Sequence, residues 1–289
     1  MMKKQLIYLL VGICCCSCSK KEKLIVGSFD WQQIAIVDKA SGEIEWSYDL
    51  LPEEECYDVE VTPKNEVLYA YKKGAKLIKR DHQVVWDYKA GENEVLYAAT
   101  RLESVNFLLA LAGAPARIVE LDKNGEVFKE VTFNTATPDI SQQFRHIVKT
   151  PNNTYVVPMM NKSKIAEIDE TGRFKRSIFC GGTPNAVALT DSSWVVACGD
   201  ALSFVEITPE NKRVTRTVET SSLNWGTIFY VAYIVRYKNG NTLIANYLGS
   251  SEDQSQMPLL EVDPENKIVW RLSNNPQIPR ISTVYSFFE

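Results

Sequence analysis

Histidine is nearly absent from this chain: among 289 residues there are two, His82 and His146. Imidazole is the side chain whose ordinary pKa suits acid–base work near neutrality, so few residues are left to carry such chemistry. No GxSxG, HExxH, phosphate-loop or dinucleotide-binding signature occurs. Of the seven cysteines, four crowd into the first 18 residues, and Cys56, Cys180 and Cys198 match neither a zinc site nor a CxxC redox pair. A Cys180–Cys198 disulfide and unpaired buried thiols both remain open readings. There is no basic excess: 32 Lys+Arg stand against 36 Asp+Glu, a net charge of −4, which argues against nucleic acid as a partner. No apolar run is long enough for a membrane span. Leu6–Ile13 is the longest, and about 20 residues are needed. After residue 24 there is no long helical period, linker or low-complexity segment, which makes one domain the economical reading.

What is present begins with a targeting segment. Lys3 and Lys4 precede the apolar run, the layout of a signal peptide. In Cys14-Cys15-Cys16-Ser17-Cys18, a cysteine preceded by a small residue resembles the lipobox of bacterial lipoproteins, where the thiol is acylated before cleavage. Cys18 fits best; Cys15 standing where Leu is usual keeps Cys15 and Cys16 open, and an ordinary cleaved signal peptide is the other reading. The expected division is a signal peptide over 1–17, a lipidated Cys18 with its tether over 18–23, and one domain over 24–289. Removing 1–17 takes Lys3 and Lys4, leaving 30 Lys+Arg against 36 Asp+Glu and a net charge of −6.

The domain is repetitive. An alternating apolar strand ending in Asp, a polar turn, and a strand carrying a large apolar residue recur six times. The units are Ile34–Trp46, Leu77–Trp86, Ile118–Phe128, Ile165–Phe174, Phe204–Val214 and Leu259–Trp270. Steps between Asp38, Asp81, Asp122, Asp169, Thr208 and Asp263 are 43, 41, 47, 39 and 55 residues, the period of four-stranded propeller blades. Asp caps the turn amides, and Gly or Asn supplies the positive φ. Two further strands precede the units, as in Tyr57–Thr62 with Glu66–Tyr71 and Tyr230–Tyr237 with Thr242–Tyr247. With strands lettered A to D from the axis outward, the repeat is C–turn–D. The first unit is preceded by Leu24–Phe29 alone, and Ile281–Phe287 is left over at the end. The expected fold is therefore all-β, a six-bladed β-propeller of four antiparallel strands per blade. The C-terminal strand closes the ring on the N-terminal one, leaving no open edge.

The A–B and C–D turns are short and regular, whereas the B–C and D–A loops, which share the other face, are long and aromatic. Long irregular loops carry function more often than tight turns do. The expected ligand site is that mouth, with Trp31, Tyr57, Phe144, Trp225, Tyr230 and Tyr247 as platforms and Arg145, His146, Asn185 and Arg280 as polar groups. Trp46, Trp86 and Trp270 occupy the repeated position and are assigned to the core, and Glu53–Glu55 is read as a solvated loop.

Ala35-x-x-Asp38-x-x-x-Gly42-x-x-x-Trp46 resembles the tryptophan-docking repeat of pyrroloquinoline-quinone-like propellers. Gly240–Ala245 running into Leu260–Trp270 is similar to arylsulfotransferase-type propellers, and the mature chain resembles envelope lipoproteins of Bacteroidota. Quinoprotein dehydrogenases of this kind have eight blades and a dedicated cofactor site, so the resemblance implies no cofactor and no metal here. Arylsulfotransferases use several channel histidines, and His146 cannot fill several roles. The expected function is a non-enzymatic envelope lipoprotein that binds a glycan or other small molecule, or an envelope protein partner, at the mouth. The alternative is a transferase or hydrolase using His146. The bilayer is the partner expected for acylated Cys18. Ser19 is not the inner-membrane retention signal and Lys20–Lys23 is not an acidic export run, so the expected place is the periplasmic leaflet of the outer membrane.

Overall fold

A computed structural model describes residues 20–102, 106–224, 226–249, 256–273 and 276–289. They form six four-stranded antiparallel sheets. Blade 1 holds β1 (Glu22–Ser28), β2 (Trp31–Asp38), β3 (Ile44–Asp49) and, innermost, β24 (Thr283–Phe288). Blade 2 is β4 (Cys56–Val61), β5 (Val67–Tyr71), β6 (Gly74–Ile78) and β7 (Val84–Lys89). Blade 3 is β8 (Val95–Arg101), β9 (Phe107–Ala112), β10 (Ala116–Leu121) and β11 (Val127–Phe133). Blade 4 is β12 (Val148–Lys149), β13 (Tyr155–Met159), β14 (Lys164–Ile168) and β15 (Phe174–Phe179). Blade 5 is β16 (Val187–Leu189), β17 (Trp194–Ala197), β18 (Ser203–Thr208) and β19 (Arg213–Glu219). Blade 6 is β20 (Val231–Arg236), β21 (Thr242–Asn246), β22 (Leu259–Val262) and β23 (Ile268–Leu272). The expected closure is present: β24 pairs antiparallel with β1, Glu22 opposite Phe288 through Gly27 opposite Thr283.

All six C–D hairpins share one irregularity, a register shift in the last one or two pairs of the C strand, from Ile36/Val37 in blade 1 to Glu261/Val262 in blade 6. Each turn places one residue at positive φ: Gly42, His82, Gly125, Gly172, Lys212 and Asn266. A left-handed residue followed by a bulge is how a short loop joins strands while keeping their twist. The Asp that opens the turn is spent on it, as when Asp122 Oδ1 accepts from the amides of Asn124 and Glu126 at 2.8 and 3.0 Å. The second unit departs from expectation. Lys79, not Asp81, opens the turn just past its C strand, its amide bonded to the Gln83 carbonyl, and His82 takes the left-handed position.

The tryptophans lock blade to blade. Trp46 Nε1 donates to Arg80 O at 2.8 Å and Trp270 Nε1 to Lys39 O at 2.9 Å, each reaching the C–D turn of the next blade. Trp86 lies against Gly125 of blade 3, where a Cβ would come within 3.0 Å of the indole. The core is accordingly a ring of interblade clusters. Cys56, Cys180 and Cys198 are buried free thiols. The solvated-loop reading fails for Glu54, which is buried, ion-paired to Lys76 and bonded by the Tyr69 hydroxyl at 3.1 Å.

Candidate functional site

A cavity of about 450 Å³ opens on the face of the B–C and D–A loops. Its wall is aromatic: Phe29 and Tyr57 stack with centroids 6.3 Å apart, Phe29 and Tyr247 lie at 5.1 Å, and Phe229 and Tyr230 complete the rim. The tyrosine hydroxyls point away into prior bonds. Tyr57 donates to Glu55 at 2.5 Å, Tyr247 to Asp30 at 2.6 Å and Tyr230 to Asn185 at 3.0 Å. A ligand therefore meets rings rather than hydroxyls. Gly199 makes one of these contacts possible, because a Cβ there would lie 2.5 Å from Asn185 Nδ2 and 2.6 Å from the Tyr230 ring.

Arg145 is the one charged side chain among the described lining residues. Its guanidinium lies 4.1 Å from the Tyr97 ring centroid and bonds the Phe144 carbonyl at 3.1 Å. No carboxylate among the described residues pairs with it. A flat cation stacked on an aromatic face keeps its outer edge of donors available to an anion.

The floor is polar and draws on all six blades. Asp58, 1% exposed on β4, accepts from the Tyr233 hydroxyl of β20, the Thr283 hydroxyl of β24 and the Ala99 amide of β8, each at 3.2 Å. The Tyr233 oxygen lies 3.0 Å from His146 Nε2, just ahead of β12, and the Val187 amide of β16 donates to His146 Nδ1 at 3.4 Å. With Nδ1 accepting, Nε2 carries the proton and donates to Tyr233, whose own proton goes to Asp58. Burial pulls His146 down to about 4, so the ring is neutral. Burial, aided by the charge of Glu60, pushes Asp58 up to about 8. Burial also raises Glu60 to about 7, against the opposing Arg101. The axis is thus plugged by a hydrogen-bonded network to which all six blades contribute.

The sequence-predicted residues divide accordingly. Tyr57, Arg145, His146, Asn185, Tyr230 and Tyr247 come together around the cavity. Phe144 does not: it is fully buried, stacked on Phe133 at 5.9 Å, because its neighbours in the chain, Arg145 and His146, take the cavity side. Trp31 packs half-buried against the seam of blades 1 and 6. Arg280 stands behind the rim, 3.4 Å from Asp30 and bonded to the Asp30 and Gly249 carbonyls. Trp225 and Cys18 lie outside the described residues. Phe29, Met160, Phe229, Tyr233 and Asp58 were not anticipated; the parity of the A strands, which alternate between axis and seam, is the signal that marks Asp58 and Tyr233.

The opposite face was expected to be featureless, yet a wider cleft of about 920 Å³ lies among the hairpins of blades 3 to 5. Its buried carboxylates are already paired, Glu120 with Lys149 at 2.8 Å and Glu167 with Arg176 at 2.6 Å, while Asp191 and Glu210 stand exposed at its edge. Among the described residues no group of three His, Cys, Asp or Glu is placed to hold a metal ion.

A family model described as Mal s 1 allergenic protein-like matches residues 21–265. The crystal structure of a protein of unknown function from Bacteroides caccae superimposes with a TM-score of 0.89 at 34% identity, covering 93% of this chain and 100% of that one. Virginiamycin B lyase from Staphylococcus aureus matches at 14% identity and a TM-score of 0.57, over 91% of this chain and 78% of that one. A chain of the nidogen/laminin complex matches at 12% and 0.65, over 92% and 98%. These last two share the fold alone. No curated protein matches the chain.

Proposed function

The chain belongs to the Mal s 1 allergenic protein-like family, and we propose that it is a non-catalytic binding protein whose ligand is a small ring-bearing carboxylate seated in the mouth. The observation that carries this reading is Arg145, which among the described residues has no carboxylate partner and is the one charged side chain of an aromatic cup. The ring of the ligand lies on Phe29, Tyr57 and Phe229, and its carboxylate meets the free edge of the guanidinium. A charge-assisted hydrogen bond of this kind contributes about 1.5–3 kcal/mol, and a drug-sized ligand fits a cavity of this volume. Among glycans this selects an acidic sugar. A neutral one would meet mostly aromatic and aliphatic side chains, with Ser282 and Asn185 among the uncharged polar groups beside them, and would leave the guanidinium without a counter-charge.

His146 supports binding better than catalysis. A nucleophile or general base needs a ring nitrogen free to reach substrate, and both of its nitrogens are held within the axis.

Acylation at Cys18, with residence on the periplasmic leaflet of the outer membrane, completes the proposal and rests on the sequence around that cysteine. Calorimetric titration with glucuronate, phenylacetate and glucose tests the site. The carboxylates bind, glucose does not, and Arg145→Ala abolishes the difference; equal binding of glucose, or carboxylate binding indifferent to Arg145→Ala, overturns the reading.

A further inference from the structure

The face that carries the A–B and C–D hairpins is, we infer, a lipid-docking surface, so that the mouth points away from the bilayer. This rests on the acylation reading above and not on the identity of the ligand.

The argument is one of reach. β1 is a B strand and runs from the hairpin face toward the mouth, so the chain enters the propeller on the hairpin face, at Glu22. Glu22 is fixed there by Lys39 at 2.8 Å, by the Tyr237 hydroxyl at 2.7 Å and by Ser286 at 2.7 Å. From Cys18 to Glu22 the chain spans four residue steps, about 14 Å when fully extended. The strands that separate the two faces rise about 3.3 Å per residue, so the mouth stands some 20 Å farther from the tether's entry point. A tether this short brings the hairpin face to the headgroups and cannot bring the mouth there.

That face suits the contact. Val85, Phe128, Phe174 and Val269 each sit in the first turn-side residues of a D strand and are 41–53% exposed. Phe288, at the turn side of β24 beside the tether, is 57% exposed. Apolar side chains so placed enter the boundary between headgroups and acyl chains. Exposed Phe29, Leu51 and Phe229 show that the mouth is no less apolar, so exposure alone does not decide the orientation; the tether does. Attraction to anionic lipid is a minor part, because exposed Lys20, Lys64, Lys212 and Lys267 are offset by Asp191, Glu210 and Glu265.

The test uses the full acylated chain in vesicles of phosphatidylethanolamine and phosphatidylglycerol, with nitroxide labels on Phe128→Cys, Phe174→Cys, Leu51→Cys and Phe229→Cys. The three native thiols within the propeller are buried. The expected result is a several-fold rise in oxygen-over-nickel accessibility at 128 and 174 relative to the unanchored Cys18→Ser protein, with no change at 51 and 229. Protection of the mouth labels, or of none, overturns the orientation while leaving acylation intact. An N-terminal peptide without acyl mass overturns the tether and the docking surface with it, while ligand binding at the mouth is read separately by calorimetry.

Discussion

The two faces of this ring are made by the same six blades, and the larger hollow is on the wrong one. The hairpin-face cleft is about twice the volume of the mouth, yet its buried carboxylates are matched by neighbouring cations, Glu120 by Lys149 and Glu167 by Arg176, and Asp191 and Glu210 lie exposed to water at its edge. The mouth is smaller, hides its tyrosine hydroxyls in prior bonds and, among the described residues, leaves one cation without a carboxylate. A cleft whose buried charges are mutually satisfied must break those pairs to use them on a ligand, whereas a guanidinium on an aromatic wall with no carboxylate beside it gains a partner without losing one. Unspent polarity, rather than volume, marks the site.

The difference is broken first at Glu120, which is 2% exposed and takes both Lys149 and the Tyr155 hydroxyl, the latter at 2.5 Å. Glu120→Ala leaves a lysine without its partner and is expected to cost about 3–5 kcal/mol by denaturant titration, with affinity at the mouth unchanged. Arg145→Ala is the mirror case: roughly 10- to 100-fold weaker carboxylate binding by calorimetry, with an unchanged melting temperature. If both variants lose stability and neither loses affinity, the two faces do not differ in kind.

A subtler contrast concerns pH. Asp58 keeps its proton to about 8, whereas in the unfolded chain it releases it near 4, so the folded state binds more protons across that window and loses stability as pH rises. Glu60 acts the same way up to about 7. His146 works oppositely between about 4 and 6.5, where the unfolded chain takes up the proton that the buried ring refuses. Above pH 6.5 the carboxyls act alone, so the melting temperature falls from pH 6.5 to 8, and Asp58→Asn flattens that fall. The smallest effect belongs to Phe229→Ala at the exposed rim: a loss of about 0.5–1.5 kcal/mol of binding and none of stability.

The blades were readable because their signals are local. An Asp, a left-handed residue four or fewer positions on, and an aromatic beyond it lie within one hairpin, and the strand ends cannot shift without exposing the alternate set. Where the pattern weakened, at Lys79-Arg80-Asp81-His82, the turn was misplaced by two residues because histidine does a glycine's work there. The mouth was half legible. Loop composition located Tyr57, Arg145, Tyr230 and Tyr247, but Phe144 could not be told from them. Which of three consecutive residues faces inward depends on how the long connection from β11 arrives at the two-residue β12, and nothing local encodes that path. The bond between His146 and Tyr233 joins residues 87 positions apart across the ring, and only closure of all six blades brings them together.

That closure also sets an order of events. The strand that opens the propeller is completed by the strand that ends it, with Lys21 N bonded to Glu289 O at 2.7 Å and Glu289 N to Lys21 O at 3.0 Å. In a chain synthesised from its N-terminus, β1 emerges early and waits with a bare edge until the closing strand β24 arrives. No truncated product can seal the ring, and a chaperone that shields an edge strand has its longest task at the first one. Once sealed, any lengthwise pull on the segment ahead of Glu22 loads the whole β1–β24 ladder, so that its bonds must fail together rather than one at a time.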